Sequence, residues 1–259
     1  MPYENVLVER AEGYAVIKLN RPKANALSLG LVHDIRAAVG ELEADDSVRC
    51  ILITGEGKFF SAGADVPTIQ KMLDDPFAEG GLLSEGIKTM NAIEACNKPV
   101  VAVVNGMALG GGCELCLACH IRLAAEGARF GQPEINLGII PGWGGTFRLP
   151  RLIGESFAAE LLLTGRTINA AEAMSIGLVT EVFPAEQLMD AAQKLAATLA
   201  EKPVAAMQAT LATLRARAHN TAEGAAAEGQ AFAQAARSED AVEGIGAFLE
   251  KRKPHFTGA

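Results

Sequence analysis

Two short and mostly apolar runs constrain the fold of this chain more than any other feature of its sequence. They are VRCILI at 48–53 and PVVAVV at 99–104. Strands that are apolar on both faces suit a parallel sheet covered on both sides, and β-branched residues favour strand over buried helix. YAVIKLN at 14–20 indicates a further strand, and apolar residues at helical spacing predict a helix over 28–44. This strand–helix–strand order predicts an α/β fold with parallel pairing.

The last third of the chain is almost entirely helical in pattern. A final helix is predicted to begin at Ser238, a good N-cap, with acidic residues in its first turn. The cations at 251–253 fall in its last turn, an order that suits the helix dipole, and Pro254 ends it. We therefore predict two regions, an α/β core at 1–183 and a helical region at 184–259.

Composition excludes several classes of partner. The net charge is −8, so the chain lacks the basic face that binding to nucleic acid or to a membrane surface needs. The N-terminus has no basic segment followed by an apolar one, and the longest apolar run is too short to span a bilayer. An odd count of five cysteines then indicates reduced thiols. We expect a cytoplasmic protein.

Three glycine-rich segments are candidates for the functional site. They are FFSAGAD at 59–65, NGMALGGGCEL at 105–115 and GQPEINLGIIPGWGGTFRL at 131–149. The first two follow the predicted strands at 48–53 and 99–104. Because ligands bind beyond the carboxyl ends of strands in open α/β sheets, these two loops are expected to bring backbone N–H groups to one point.

The second segment contains the start of a helix. Three glycines, 110–112, lead into Glu114 and an apolar run. The first N–H groups of a helix lack intrahelical partners and suit a developing oxyanion. The alternatives are a packing turn for the glycines and a solvated first-turn acid for Glu114. Neither a dinucleotide-binding G-x-G-x-x-G nor a GKS/T phosphate loop is present in the segment.

Segments SAGAD (61–65), NGMALGGGCEL (105–115) and FGQPEINLGIIPGWGGTFRL (130–149) together resemble the signature regions of the crotonase (enoyl-CoA hydratase/isomerase) superfamily. The similarity runs from NRPKANAL (20–27) to FLEKRKPHF (248–256). The resemblance implies an α/β fold, a crotonase-like spiral of ββα units with a C-terminal helical region. It also implies homotrimers, often paired as hexamers, with the helical region serving oligomerisation and site completion.

The resemblance implies a catalytic set of four residues. Backbone N–H groups of Ala62 and Gly111 match the oxyanion hole for a thioester carbonyl, and Glu114 and Glu134 match the two glutamates of hydratases. The implied activity is hydration of a 2-trans-enoyl-CoA to a 3-hydroxyacyl-CoA in acyl-CoA degradation. Glu114 is assigned mainly to water and Glu134 mainly to proton transfer at C2. A Δ3–Δ2 isomerase and a non-catalytic binding protein on the same fold remain the alternatives.

The resemblance also implies a set of substrate-binding positions: Ala24, Gly63, Ala64, Asp65, Gly142, Trp143, Lys253 and Phe256. Ala24, Ala64 and Asp65 match the neighbourhood that holds the nucleotide end of CoA, and Gly142 matches a residue near the catalytic water. Lys253 and Phe256 complete the CoA and acyl sites. Trp143 stands where many relatives carry a smaller residue, so it either reshapes the acyl pocket or packs between loop and helix. CoA enters only as part of the substrate, and no metal or other cofactor is implied.

One motif suggests different chemistry. Cys113, Cys116 and Cys119, followed by His120, match the spacing of an iron–sulfur cluster, and CLACH matches haem attachment. Haem attachment requires export and a cluster requires a fourth ligand. The three cysteines are better interpreted as small buried apolar residues.

Overall fold

The computed structural model describes residues 3–72, 75, 78–202, 204–217, 233, 236–237 and 239–255. The strands of these residues are β1 (Val6–Ala11), β2 (Gly13–Leu19), β3 (Val48–Gly55), β4 (Phe59–Ser61), β5 (Val100–Val104), β6 (Met107–Leu109), β7 (Ile121–Ala125), β8 (Arg129–Gly131), β9 (Thr167–Asn169) and β10 (Glu181–Phe183). Their helices are α1 (Leu29–Ala44), α2 (Val66–Met72), α3 (Leu82–Ala95), α4 (Gly111–Ala118), a 3₁₀ helix (Pro133–Leu137), α5 (Gly145–Ile153), α6 (Glu155–Thr164), α7 (Ala170–Ser175), α8 (Leu188–Ala200), α9 (Val204–Arg217) and α10 (Glu239–Leu249).

The strands form two sheets. The larger has six strands in the order β1-β2-β3-β5-β7-β10, in which β1 runs antiparallel to β2 and all other pairs are parallel. The smaller has the order β4-β6-β8-β9, with β4, β6 and β8 parallel and β9 antiparallel. The parallel pairing predicted for the strands at 48–53 and 99–104 is confirmed.

Three strands of the first sheet are each followed by a short strand of the second. Thus β3 continues into β4, β5 into β6 and β7 into β8, and a helix follows each pair. This is the repeated ββα unit that the resemblance implied. The three short strands were not predicted, because three residues are too few to show a strand period.

The long strands are covered on both faces, as their apolar runs predicted. On β3, Ile51 and Ile53 point to one core cluster and Cys50 and Leu52 to the other. On one face lies α1, whose N-cap is Ser28, the hydroxyl of which accepts the Leu31 N–H. On the other face lies α8, through Leu188, Ala192 and Ala196.

The predicted final helix is present but shorter than expected. It ends at Leu249, so the cations at 251–253 lie beyond it rather than in its last turn. Lys251 adopts a left-handed conformation, φ +57°, and the Arg252 N–H donates to the Ala247 carbonyl. This backbone pattern closes a helix, usually with glycine, so Lys251 gives little signal in the sequence. The predicted N-cap, Ser238, lies outside the described residues.

The helices in the described part of the chain can be compared with the length and apolar character of a membrane-spanning helix. Not one of them combines the length and the apolar character that a membrane span needs.

Candidate active site

The glycine run of the second segment opens α4, as predicted. Gly110 is its N-cap, at φ +50°, and the helix begins at Gly111. The N–H groups of its first three residues, Gly111, Gly112 and Cys113, have no carbonyl partner within the helix. The Glu134 carboxyl lies against this turn, since a Cβ on Gly110 would come within 2.6 Å of Glu134 Oε1. The start of α4 and Glu134 therefore belong to one site.

Glu114 lies in the first turn of α4 and is buried, with 2% of its surface exposed. Its Oε1 accepts the N–H of Trp143 at 2.7 Å and that of Gly145 at 2.9 Å. Gly145 is the first residue of α5, so the carboxylate also meets the positive end of that helix dipole. These donors favour the charged carboxylate and fix its orientation. Glu114 is thus a buried carboxylate with two backbone hydrogen bonds, and the alternative of a solvated surface acid is wrong.

Glu134 comes from the 3₁₀ helix, whose first residue is Pro133, a position that suits proline. The C-terminal helix α10 braces this element from outside. A Cβ on Gly244 of α10 would come within 2.5 Å of the Leu137 carbonyl carbon, so the two backbones are in close contact. The position of Glu134 therefore depends on a contact with the helical C-terminal region.

Both glutamates line one cavity of about 340 Å³, its mouth included. The other lining residues are Ala64, Ile69, Leu82, Leu83, Gly111, Ile139, Ile140, Gly142 and Trp143. The cavity is thus apolar except for two carboxyl groups and a few backbone groups. The structure brings together the predicted Glu114, Glu134, Gly111, Ala64, Gly142 and Trp143.

The predicted oxyanion donor at Ala62 already has a partner in the structure. Its N–H donates to the Ala24 carbonyl at 3.0 Å, and its side chain is exposed. Ala64, two residues on, lines the cavity, and its nitrogen would lie 3.4 Å from a Cβ on Gly111. Two residues along an extended loop return to the same side, so the motif alone does not distinguish the two alanines. Of the two alanines, Ala64 is the one that lines the cavity together with Gly111.

Comparison with known proteins agrees with this geometry. The model of the enoyl-CoA hydratase/isomerase family matches residues 9–259. The chain belongs to the enoyl-CoA hydratase/isomerase family. It is 44% identical over 259 residues, 99% of both chains, to a probable enoyl-CoA hydratase of Mycobacterium bovis. It is equally similar, 44% over 259 residues and 99% of both chains, to a crotonyl-CoA hydratase of Syntrophomonas wolfei.

Solved structures show the same fold. The crystal structure of an enoyl-CoA hydratase from Mycobacterium avium subsp. paratuberculosis matches with a TM-score of 0.88 at 30% identity. The match covers 99% of this chain and 100% of that one. The crotonase-like spiral expected from the sequence is therefore confirmed.

In this family member, the loop predicted to hold the nucleotide end of CoA packs against its neighbours through its own polar groups. The Ala24 carbonyl accepts the Ala62 N–H, and the Gly63 N–H donates to Ser61 Oγ at 3.3 Å. The Asp65 carboxylate pairs with Arg21 at 3.1 Å and accepts the Thr68 hydroxyl. Although burial alone would raise the pKa of Asp65, these partners lower it. Contact of Ala24, Gly63 and Asp65 with CoA stays a prediction.

Lys253, one of the two predicted C-terminal contacts, is not among the residues that line the cavity. Lys253 is exposed and follows α10, while Phe256 lies outside the described residues. The neighbouring Arg252 pairs with Glu243 and Glu250. A role for Lys253 and Phe256 in CoA binding therefore stays a prediction as well.

The three cysteines of the C-x-x-C-x-x-C motif pack in the interior of the protein. Cys113, Cys116 and Cys119 are buried and free on or at the end of α4, and burial raises the pKa of Cys113 and Cys119 to about 12. Within the described part of the chain, no group of three or more His, Cys, Asp or Glu residues is arranged to hold a metal ion. The interpretation as small apolar residues agrees with this burial.

Arg148 is a residue of this site that the sequence did not indicate. Only 2% of its surface is exposed, and its Nη1 donates to the Trp143 carbonyl at 2.6 Å. The rest of its guanidinium binds Glu94 at 2.8 Å and Asn91 at 2.8 Å, both on α3. Since the Trp143 N–H holds Glu114, Arg148 anchors the loop that orients the Glu114 carboxylate. An arginine in an amphipathic helix gives no sign in the sequence that it is buried.

Replacing Arg148 with methionine is expected to lower the free energy of unfolding by roughly 3 kcal/mol, because it leaves Glu94 partly buried without its main partner. We also expect kcat to fall, because the loop that holds Glu114 loses its anchor. Denaturant unfolding and steady-state kinetics measure the two effects. Arg151→Met is the matched control, since Arg151 pairs with the same Glu94 but is 40% exposed. It is expected to cost less than about 1 kcal/mol, and equal losses from both variants would contradict the assignment.

Proposed function

We propose that this protein is an enoyl-CoA hydratase that adds water to a 2-trans-enoyl-CoA and forms a 3-hydroxyacyl-CoA. The observation that carries the proposal is the placement of two carboxyl groups, Glu114 and Glu134, on one apolar cavity beside the backbone of Ala64 and Gly111. Hydration needs a held water molecule, a proton donor at C2 and a site for the charge of an enolate. The cavity offers a group for each.

The N–H groups of Ala64 and Gly111 bind the thioester oxygen in this proposal. They approach one point from a loop end and from a helix start, where fixed dipoles favour negative charge. As water attacks C3, the π electrons move to that oxygen and its charge grows. A preorganised donor of this kind lowers a barrier by about 2.7–4 kcal/mol.

The two glutamates handle the water and its protons. Glu114, oriented by the Trp143 and Gly145 N–H groups, holds and activates the water molecule. Glu134, set by the 3₁₀ helix against the start of α4, delivers a proton to C2. The hydroxyl joins C3, Glu114 takes the proton that the water loses, and Glu134 gives its proton to C2. The two carboxyl groups then regain their starting protonation by exchange with solvent, so one water is consumed and no electrons are gained or lost. Proton transfer by positioned groups typically contributes 10²- to 10⁴-fold.

The activity is tested by mixing the purified protein with crotonyl-CoA and no added cofactor. Loss of the absorbance of the conjugated enoyl thioester is expected, and 3-hydroxybutyryl-CoA should accumulate. A 3-enoyl-CoA is offered in parallel, because an isomerase needs only a proton shuttle of the Glu134 kind. Rapid isomerisation without hydration would replace the hydratase with the isomerase alternative.

We further propose a homotrimer or hexamer in the cytoplasm, acting in fatty-acid or related acyl-CoA degradation, with CoA entering only as part of the substrate. The region 184–259 is assigned to assembly and to completion of the site. Support comes from α10, whose Gly244 packs on the backbone of the Glu134 element. Exposed apolar side chains on that helix, Val242 and Phe248, suit a covered face. Light scattering tests the assembly, and a monomer mass would contradict it.

A further inference from the structure

The Trp143 indole fills the space between two helices at the cavity. One side of the ring faces Gly111 of α4, where a Cβ would come within 2.4 Å of Cζ3. The other side faces Gly86 of α3, where a Cβ would come within 2.2 Å of both Cε2 and Nε1. The ring is 5% exposed and lines the cavity. It therefore forms a wall that both helices hold in place.

Gly86 is what makes room for this wall. It lies within α3 (Leu82–Ala95), where it is buried and away from both helix ends. Glycine inside a helix costs about 1 kcal/mol relative to alanine. Any larger residue at this position would collide with the indole. The packing of the ring therefore explains why α3 has a glycine here despite its lower helix propensity. Trp143 and Gly86 thus act as a complementary pair.

The space left beside the pair is small and apolar. Its side walls are Ile69, Leu82, Leu83, Ile139 and Ile140, and its volume is about 340 Å³ with the open mouth included. The same cavity must also take the thioester and a water molecule near Glu114. Only a short acyl group fits in what remains.

We propose that Trp143, seated on Gly86, limits the acyl group to a short straight chain such as crotonyl. The inference rests on the proposed hydratase activity and names its substrate class. The indole takes the space that the far end of a longer acyl chain would need. Shortening this side chain therefore opens the cavity toward α3 and admits longer substrates.

The size of the effect follows from apolar burial. Each additional methylene that finds a buried place contributes about 0.8 kcal/mol, or roughly fourfold in kcat/KM. Octenoyl has four more methylenes than crotonyl. If all four are buried, kcat/KM rises by far more than tenfold. We therefore expect Trp143→Leu to raise the octenoyl-to-crotonyl ratio of kcat/KM at least tenfold over the unmodified protein. The backbone N–H that holds Glu114 is retained in this variant.

The experiment measures kcat/KM for crotonyl-, hexenoyl-, octenoyl- and decenoyl-CoA with four proteins. These are the unmodified chain, Trp143→Leu, Gly86→Ala and the double variant. Gly86→Ala is expected to lower crotonyl activity at least tenfold, because its methyl group pushes the indole into the cavity and disturbs the loop at Glu114. The double variant removes the collision, so it should regain most of that loss and keep the broadened chain-length profile.

The outcomes separate the inference from the function on which it rests. A shifted ratio in Trp143→Leu, together with recovery in the double variant, supports the pair. Hydration of crotonyl-CoA by the unmodified chain with the same length profile in every folded variant overturns the inference and leaves the hydratase intact. If Trp143→Leu does not fold, Trp143→Phe tests the same idea with a smaller loss of volume. No hydration of any acyl-CoA by the unmodified chain overturns both.

Discussion

Glu134→Gln and Glu114→Gln are each expected to reduce kcat for crotonyl-CoA by about 10²- to 10⁴-fold with little change in KM. Glutamine keeps the shape of each side chain and an oxygen that can accept the N–H groups of Trp143 and Gly145. It loses the ability to take up or deliver a proton. Steady-state kinetics measures the loss. Glu126→Gln, at an exposed turn, is the control and should behave as the unmodified protein.

The two variants should also differ from each other. If Glu134 alone transfers the proton at C2, Glu114→Gln retains exchange of that proton with deuterated solvent in a saturated acyl-CoA. Glu134→Gln loses the exchange. Mass spectrometry of the recovered thioester distinguishes the two. Exchange lost in Glu114→Gln and kept in Glu134→Gln would reverse the roles, and near-normal turnover in either variant would remove that residue from the mechanism.

Replacing the Ala64 residue with lactic acid, which turns its backbone N–H into an ester oxygen, is expected to lower kcat by about 10²- to 10³-fold. The side chain and loop remain, and only the donor to the thioester oxygen is lost. The same replacement at Ala62 removes a hydrogen bond to the Ala24 carbonyl instead. It should cost about 0.5–1.5 kcal/mol of stability and leave kcat within a few-fold.

This pair of replacements distinguishes the two alanines of the SAGAD segment. Circular dichroism and thermal unfolding confirm that both proteins fold. A large loss of kcat at position 62 with none at position 64 would restore the assignment made from the motif. It would also show that the loop rearranges when substrate binds.

Much of the fold was predictable because its main strands and helices are long enough to show a clear apolar pattern in the sequence. The apolar runs that became β3 and β5 define strands buried on both faces, and the helix after Ser28 has both a cap and a regular apolar face. The short strands β4 and β6 carry no such signal, since three residues show no period. The end of α10 was also missed, because a lysine occupies the left-handed position that glycine usually marks.

The site was predictable to the level of side chains but not of backbone groups. Glu114 and Glu134 stand in distinctive segments, and the structure places both on one cavity. The choice between Ala62 and Ala64 as the second N–H donor depends on which of their amides is already hydrogen-bonded. That hydrogen bonding follows from the folded backbone and not from the motif. The buried Arg148 was missed for a related reason. Its partners, Glu94 and Asn91, are more than fifty residues away in sequence.

The central claim is that Glu114 and Glu134 add one solvent water to an enoyl thioester held at Ala64 and Gly111. The most direct measurement is the mass of the product formed from crotonyl-CoA in water enriched in ¹⁸O, with no cofactor added. We predict 3-hydroxybutyryl-CoA that carries one ¹⁸O atom at C3, and no label after the same time with Glu114→Gln. Release of free CoA, or recovery of crotonyl-CoA unchanged at high protein concentration, would contradict the account.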